Sequence, residues 1–317
     1  MRIFLAPMEG VVDHHLRNLM RRIGGIDICV TEFVRVTDHV LPRKVFTRYS
    51  PELVDVASQQ DNQRCPTRVQ LLGSNPEAIA ANARKAARLG APGIDLNFGC
   101  PAKTVNKNRG GACLLDEPNT LYEIVSQTRR AVQKDVPVTA KIRLGYQDRS
   151  SYLENAQAIY EAGATELVVH ARSKTDGYKP PAYWEYLAKI RETIDIPVVA
   201  NGEIWSLQDY QRCKQVSGCQ DVMLGRGLLA KPDLALAIKA YEAGRQYQDM
   251  GWSQVAAILL EFFEITCQVY AKKYTGNRLK QWLFYLKRQY PEANTLFEKI
   301  KREREYEVLR NAVAAYL

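Results

Sequence analysis

The stretch LGAPGIDLN (89–97) decides the fold. A helical pattern runs out at Leu89, Gly90 supplies the left-handed cap on which helices end, and a short β-rich run follows Pro92 and Gly93. The same junction returns as AGATELVVH (162–170) and SGCQDVMLG (217–225), and a second form as KDVPVTAKI (134–142) and IDIPVVANG (194–202). A helix–turn–strand junction repeating every ~25–40 residues is the mark of βα units. Outward from it, eight strands are predicted: Ile3–Met8, Ile28–Phe33, Thr67–Gly73, Gly93–Gly99, Pro137–Gly145, Glu166–Arg172, Pro197–Gly202 and Gln220–Gly225. Helical patterns lie between them at Pro76–Leu89, Thr120–Val132, Tyr152–Ala162 and Trp184–Ile194, with further helices starting near Ser206 and Lys231. Eight such units in residues 1–244 predict an α/β chain built on a (β/α)8 TIM barrel. The rival, an open doubly wound sheet, usually has fewer strands and mixed loop sizes.

Past residue 244 the alternation stops. Within Trp252–Lys273, Val255, Ile258, Leu259, Phe262, Phe263 and Ile265 recur at helical spacing, and Leu279–Tyr290 and Leu296–Leu317 read the same way. Residues 245–317 are therefore predicted to form a small C-terminal helical bundle of three or four helices. A 317-residue chain suits one large domain and one small one. Its 46% hydrophobic and 25% charged residues fit a globular enzyme. The net charge of +9 is uneven: Tyr270–Arg302 holds nine Lys or Arg against two Glu, interleaved with Tyr274, Trp282, Tyr285 and Tyr290. Such a stretch suits a polyanion whose bases stack, or is an ordinary solvated helix face. No apolar run is long enough for a membrane helix, and MRIFLAPMEG (1–10) reads as a first strand rather than an export signal. The seven cysteines are then expected as reduced thiols in a cytoplasmic protein, and with no CxxC pair no metal is expected.

In a barrel the chemistry sits where strands end. Those ends carry Pro7-Met8-Glu9, Gln70, Asn97 through Cys100, Lys141 and Arg143, His170 and Arg172, Asn201-Gly202-Glu203, and Gly225-Arg226. Packing does not account for so many polar residues on one rim. The glycine turns after the last two strands suit a phosphate group, or are simple turns. GRGLLA (225–230) matches the loose G-x-G-x-x-A pattern, but no acidic residue closes a second strand about 20 residues on, so the match is accidental. Lys141 and Arg143 share one strand face, and a lysine in a buried strand needs an anionic partner. His170 reads either as a satisfied core histidine or as a ligand contact. Cys100 is the sharpest candidate, because it lies in a rim loop and Pro101 keeps it out of a helix. Cys29, Cys113 and Cys267 better fit inert buried thiols. Lys103, Lys107 and Arg109 follow Cys100 closely enough to steer an anionic substrate towards it.

An ordered set of motifs spans the whole barrel: LAPMEGVVD (5–13), VQLLG (69–73), DLNFGCPAKTV (95–105), GGACLL (110–115), KIRLG (141–145), VVHARSK (168–174), VANGEI (199–204) and MLGRGLL (223–229). The set resembles the tRNA-dihydrouridine synthases. TEFVRV (31–36) and NRLKQWLFYLKRQYPEA (277–293) are similar to the bacterial C-type subfamily, which reduces uridine 16 of the D-loop. The resemblance implies bound FMN, with Pro7, Met8, Glu9, Gln70, Lys141 and His170 around its ring. Asn201, Gly202, Glu203, Gly225 and Arg226 would hold its phosphate. It implies NADPH (or NADH) as electron donor and tRNA as partner. A hydride would reach C6 of a flipped uracil while Cys100 gives a proton to C5 and Asn97 holds the base. Arg35, Lys103, Tyr178, Arg278 and Lys280 are the expected RNA contacts, and a monomer is expected. Phe98, Ala171 and Ser173 depart from the family pattern at positions with no assigned role. Two rivals remain: an FMN barrel acting on a small molecule, which needs no basic tail, and a non-catalytic RNA-binding protein, which needs no Cys100.

Overall fold

A computed structural model describes residues 1–54 and 64–317. Its strands are β1 Ile3–Leu5, β2 Ile28–Val30, β3 Val34–Arg35, β4 Thr67–Leu72, β5 Ile94–Phe98, β6 Val138–Arg143, β7 Glu166–His170, β8 Val198–Asn201 and β9 Asp221–Leu224. All the pairings are parallel. They run β2-β1-β9-β8-β7-β6-β5-β4, and β2 closes on β4, so eight strands form the predicted barrel. The additional β3 pairs with the C-terminal end of β4. The expected strand Ile28–Phe33 is thus shorter and is followed by a separate piece. Its end is drawn into other bonds: Thr31 Oγ1 accepts the Gln70 N–H, and the Glu32 carboxylate accepts the Gly10 N–H.

Alternation along the strands divides the barrel into two faces. Val69, Leu71, Ile94, Leu96, Ala140, Ile142, Leu167 and Val169 face the surrounding helices in the main core. Phe4, Ile28, Val30, Val168, Val199 and Met223 form a small separate cluster inside the barrel. Below that cluster Arg2 bonds both Asp221 and Glu166 at 2.6 Å, and Arg68 pairs with Glu166. The two guanidiniums lie 5.2 and 5.4 Å from the Phe4 ring. This paired, aromatic-backed plug closes the N-terminal end, so the chemistry is left to the other end.

The four predicted helices appear as Pro76–Arg88, Pro118–Ala131, Tyr152–Glu161 and Glu185–Thr193, within two residues of expectation. Gly90, Gly163 and Gly218 take positive φ, as the junction reading requires. Beyond Leu234–Glu242 come Trp252–Val269, Asn277–Leu286, Pro291–Ile300 and Tyr306–Ala314. The helical stretch Leu296–Leu317 is split at residues 301–305, which gives four α-helices after residue 244 among the described residues, within the expected three or four. There the Glu303 carboxylate accepts the N–H groups of Arg304 and Glu305 at 2.7 and 2.9 Å, competing with helical bonding. Helix Asn277–Leu286 lies against the barrel: Trp282 Nε1 donates to the Leu229 carbonyl at 3.1 Å, and the Trp282 ring packs edge-on to Phe262.

Candidate active site

Parallel register brings the polar strand ends together. Asn97 stands beside Lys141, Arg143 beside His170, His170 beside Asn201, and Asn201 beside Met223. They open into a cavity of about 610 Å³, within the usual range for a cofactor site. Pro7, Met8, Glu9, Gln70, Asn97, Cys100, Lys141, His170, Tyr178, Asn201, Gly202, Glu203, Gly225 and Arg226 all line it. The four other sequence candidates, Arg35, Lys103, Arg278 and Lys280, are not part of its wall.

One side of the cavity is a buried polar chain. Asp95, 1% exposed, accepts from Thr139 Oγ1 at 2.6 Å and from Gln70 Nε2 at 2.7 Å. Burial raises the Asp95 carboxyl above the usual carboxylate range. Gln70 Oε1, oriented by that bond, accepts from Asn97 Nδ2 at 2.7 Å. Asn97 Oδ1 then accepts the N–H groups of Gly99 and Cys100 at 3.0 and 3.1 Å. From the other side, Asn106 Nδ2 and the Ala112 N–H donate to the Cys100 carbonyl at 2.9 and 3.0 Å. Gly111, at φ +68°, passes so close that a Cβ would lie 2.8 Å from that carbonyl oxygen. GGACLL was legible as a motif, but its role as the bed of the Cys100 loop was not. The half-buried Cys100 thiol is pushed above its ordinary value, chiefly by desolvation, so it carries its proton at neutral pH. Asn97 has one N–H left for a ligand after serving Gln70.

On the neighbouring strand the wall is cationic. Lys141 Nζ donates to Asn201 Oδ1 at 3.0 Å, and Asn201 Nδ2 donates to the Met223 carbonyl at 2.8 Å. The neutral Asn201 is not the anionic partner that the sequence calls for. Burial, with Arg143 adding, lowers the ammonium to about 8. Arg143 itself donates to the carbonyls of Gly99, Ser173 and Gly177. His170 is held neutral by burial and the surrounding cations. A Cβ on Gly202 would lie 2.8 Å from its imidazole, so only glycine lets this turn pass. The Glu203 carboxylate is taken by Arg172 and by Trp205 Nε1, which leaves the backbone of the turn as its offering to a ligand. Gly225 and Arg226 open a helical turn without a side-chain cap at the same wall. Glu9, beside Glu32, is raised to about 7, mainly by burial.

The expected RNA contacts divide. Tyr178 is 54% exposed, with the Arg143 and Arg226 guanidiniums 5.1 and 5.0 Å from its ring. Arg35 and Lys103 are exposed. Lys280 is turned away, its ammonium bonded to the Glu303 carbonyl. Arg278 is a clasp: its guanidinium donates to the carbonyls of Gly10 and Val11 at 2.7 Å and to Asp13 at 2.9 Å. Arg109, read as a steering charge, pairs with Glu117 at 3.0 Å. Of the thiols expected to be inert, Cys29 is buried, but Cys113 and Cys267 are only half-buried. Sequence reasoning missed Trp205 and Phe284, which also line the cavity. Arg288, whose guanidinium lies 4.0 Å from the Trp205 ring, was missed too. Phe284 and Arg288 lie in the NRLKQWLFYLKRQYPEA stretch, but their place at the barrel mouth depends on the docking of the last helices.

The family model described as "Dihydrouridine synthase (Dus)" matches residues 4–315. The chain is 50% identical over 314 residues to a protein of Aquipseudomonas alcaligenes named "tRNA-dihydrouridine(16) synthase", covering 99% of each. It is 52% identical over 303 residues to one of Pseudomonas putida with the same name, covering 96% of this chain and 93% of that one. In fold it is similar to a 2-naphthoyl-CoA reductase complex, with a TM-score of 0.57 and 15% identity over 77% of this chain and 50% of that one. An NCR variant from Zymomonas mobilis gives a TM-score of 0.52 and 14% identity over 78% of this chain and 89% of that one. An ordered thiol loop and a cationic barrel mouth, in a chain matched from residue 4 to residue 315, make this protein a member of the dihydrouridine synthase family.

Proposed function

We propose that this chain reduces the C5–C6 bond of a uridine in tRNA, uridine 16 of the D-loop, using FMN and NADPH. The observation that carries the reading is Cys100: a protonated thiol, pinned by Asn97 and Asn106, on the wall of a cavity that Lys141 also lines from the neighbouring strand. The cavity suits a flavin phosphate and ring. Among the described residues Lys141 bonds a neutral asparagine, the Gly202 turn leaves no room for a side chain, and no side chain caps the turn at Gly225–Arg226. Pro7, Met8, Glu9, Gln70 and His170 would surround the ring, with Asn201, Gly202, Glu203, Gly225 and Arg226 towards the phosphate. When bound, the flavin supplies the hydride, taken first from the nicotinamide.

The chain's own groups do the rest. Lys141 places positive charge where the flavin ring would carry negative charge. The free Asn97 N–H orients the flipped base, and Cys100 holds a proton for C5. Residues 1–244 would form the catalytic unit and residues 245–317 the tRNA-binding unit, with Arg35, Lys103 and Tyr178 adding contacts from the barrel. The test is a mass map of tRNA from cells lacking the protein, before and after treatment with purified protein and NADPH. A gain of two hydrogens confined to uridine 16 is expected. No gain at any uridine, from protein that carries flavin, would sink the reading and favour a small-molecule substrate.

A further inference from the structure

Helix Asn277–Leu286 is held to the barrel at three points. Arg278 clasps Gly10, Val11 and Asp13 near its start, Trp282 bonds the Leu229 carbonyl in its middle, and Arg288 stacks on Trp205 just past its end. Leu279, Trp282, Leu283 and Leu286 fill the buried side. A helix anchored in this way presents its remaining face rigidly to the cavity.

On that face stands Phe284. The residue is 57% exposed, yet it lines the cavity mouth beside Tyr285, with which its ring makes an edge-on contact at 5.9 Å. Lys287 Nζ lies 4.5 Å from the ring centroid. Phe284 is not one of the buried residues, Leu279, Trp282, Leu283 and Leu286, that seat this helix. Nor is it the centre of a broad apolar patch that would suit a protein partner, because Lys287 and Arg288 flank it.

We propose that Phe284 is a stacking platform for the nucleobase next to the uridine that enters the cavity, with Lys287 beside it for the adjoining phosphate. The proposal rests on the tRNA reading above. A uridine drawn into the barrel mouth brings its chain neighbours to the rim. An aromatic face serves there whatever the neighbouring base, because every base has a π-face. The ammonium against Phe284 supplies the charge that the backbone needs without a hydrogen bond specific to sequence.

The test is a double-mutant cycle on dihydrouridine formation, pairing Phe284→Ala with tRNA made abasic at either neighbour of the target uridine. Phe284→Ala is expected to raise KM for intact tRNA on the order of tenfold. One abasic tRNA should cost the wild-type enzyme as much, and the two changes together should cost no more than either alone. Phe284→Trp should restore the wild-type KM, whereas Phe284→Leu, apolar but without a π-face, should not. Losses that simply multiply for both abasic tRNAs, or a leucine variant equal to wild type, would overturn the platform while leaving the tRNA reading intact. A wild-type enzyme that reduces no tRNA uridine removes both.

Discussion

Cys100 owes its place to the hydrogen bonds of its neighbours. Asn97, Asn106 and Gly111 fix its backbone, and the buried Asp95–Gln70 pair fixes Asn97. Desolvation raises its thiol, which sets the sign of the pH effect. A proton donor works while protonated, so the rate of the tRNA step should stay level through neutral pH. The thiol's own contribution should fall as pH rises through its elevated pKa, after the Lys141 ammonium has lost its proton at about 8. Cys100→Ala should lower dihydrouridine formation on the order of a hundredfold or more while retaining flavin. Single-turnover kinetics on tRNA, with flavin absorbance read in parallel, checks both. The residue type and its loop were legible in GCP (99–101). The sequence did not show that Asn97 serves the loop as well as a ligand, because that depends on Gln70 arriving from another strand.

At the scale of elements, the loop after β1 is shared property. Its Pro7, Met8 and Glu9 line the cavity, while Gly10, Val11 and Asp13 are gripped by Arg278, by Gln281 at 3.0 Å and by Tyr270 at 2.8 Å. A basic residue in a basic stretch reads as an RNA contact. Its guanidinium instead has three geometric partners on the barrel, and a fork of this shape is not replaced by an ammonium. Arg278→Ala should cost about 2 kcal/mol of stability and weaken flavin binding on the order of tenfold, in the absence of tRNA. Arg278→Lys should recover little of either. Denaturant unfolding and flavin titration measure the two effects. A variant that loses only tRNA affinity would return Arg278 to the RNA surface.

For the whole molecule, the consequence is that the barrel mouth is not finished by the barrel. Phe284 and Tyr285 line the cavity from the C-terminal helices, and Val11, Leu16, Leu229, Phe262 and Trp282 meet in a closed seam beneath them. A chain ending at residue 244 should expose that seam, associate, and retain flavin poorly, as read by light scattering and by flavin content per protein. A monodisperse truncated barrel with full flavin would mean that the last helices only add a surface. The sequence by itself determined the βα repeat, the eight-stranded barrel, the rim residues and the helical tail. Each of these is written in local periodicity, glycine punctuation and contiguous motifs, which need no knowledge of distant partners. Only the tertiary structure decided which cations are spent and which are free. Arg278 and Arg109 are paired with Asp13 and Glu117 and Lys280 is bonded to the Glu303 carbonyl, while Lys141 is left facing a neutral asparagine. Tertiary structure alone also set an exposed phenylalanine at the cavity mouth. The physical reason is that charge pairing and exposure depend on which residues of other elements come within a few ångströms, and strand register and helix docking set that at separations as large as the 265 residues between Asp13 and Arg278 and the 271 between Gly10 and Gln281.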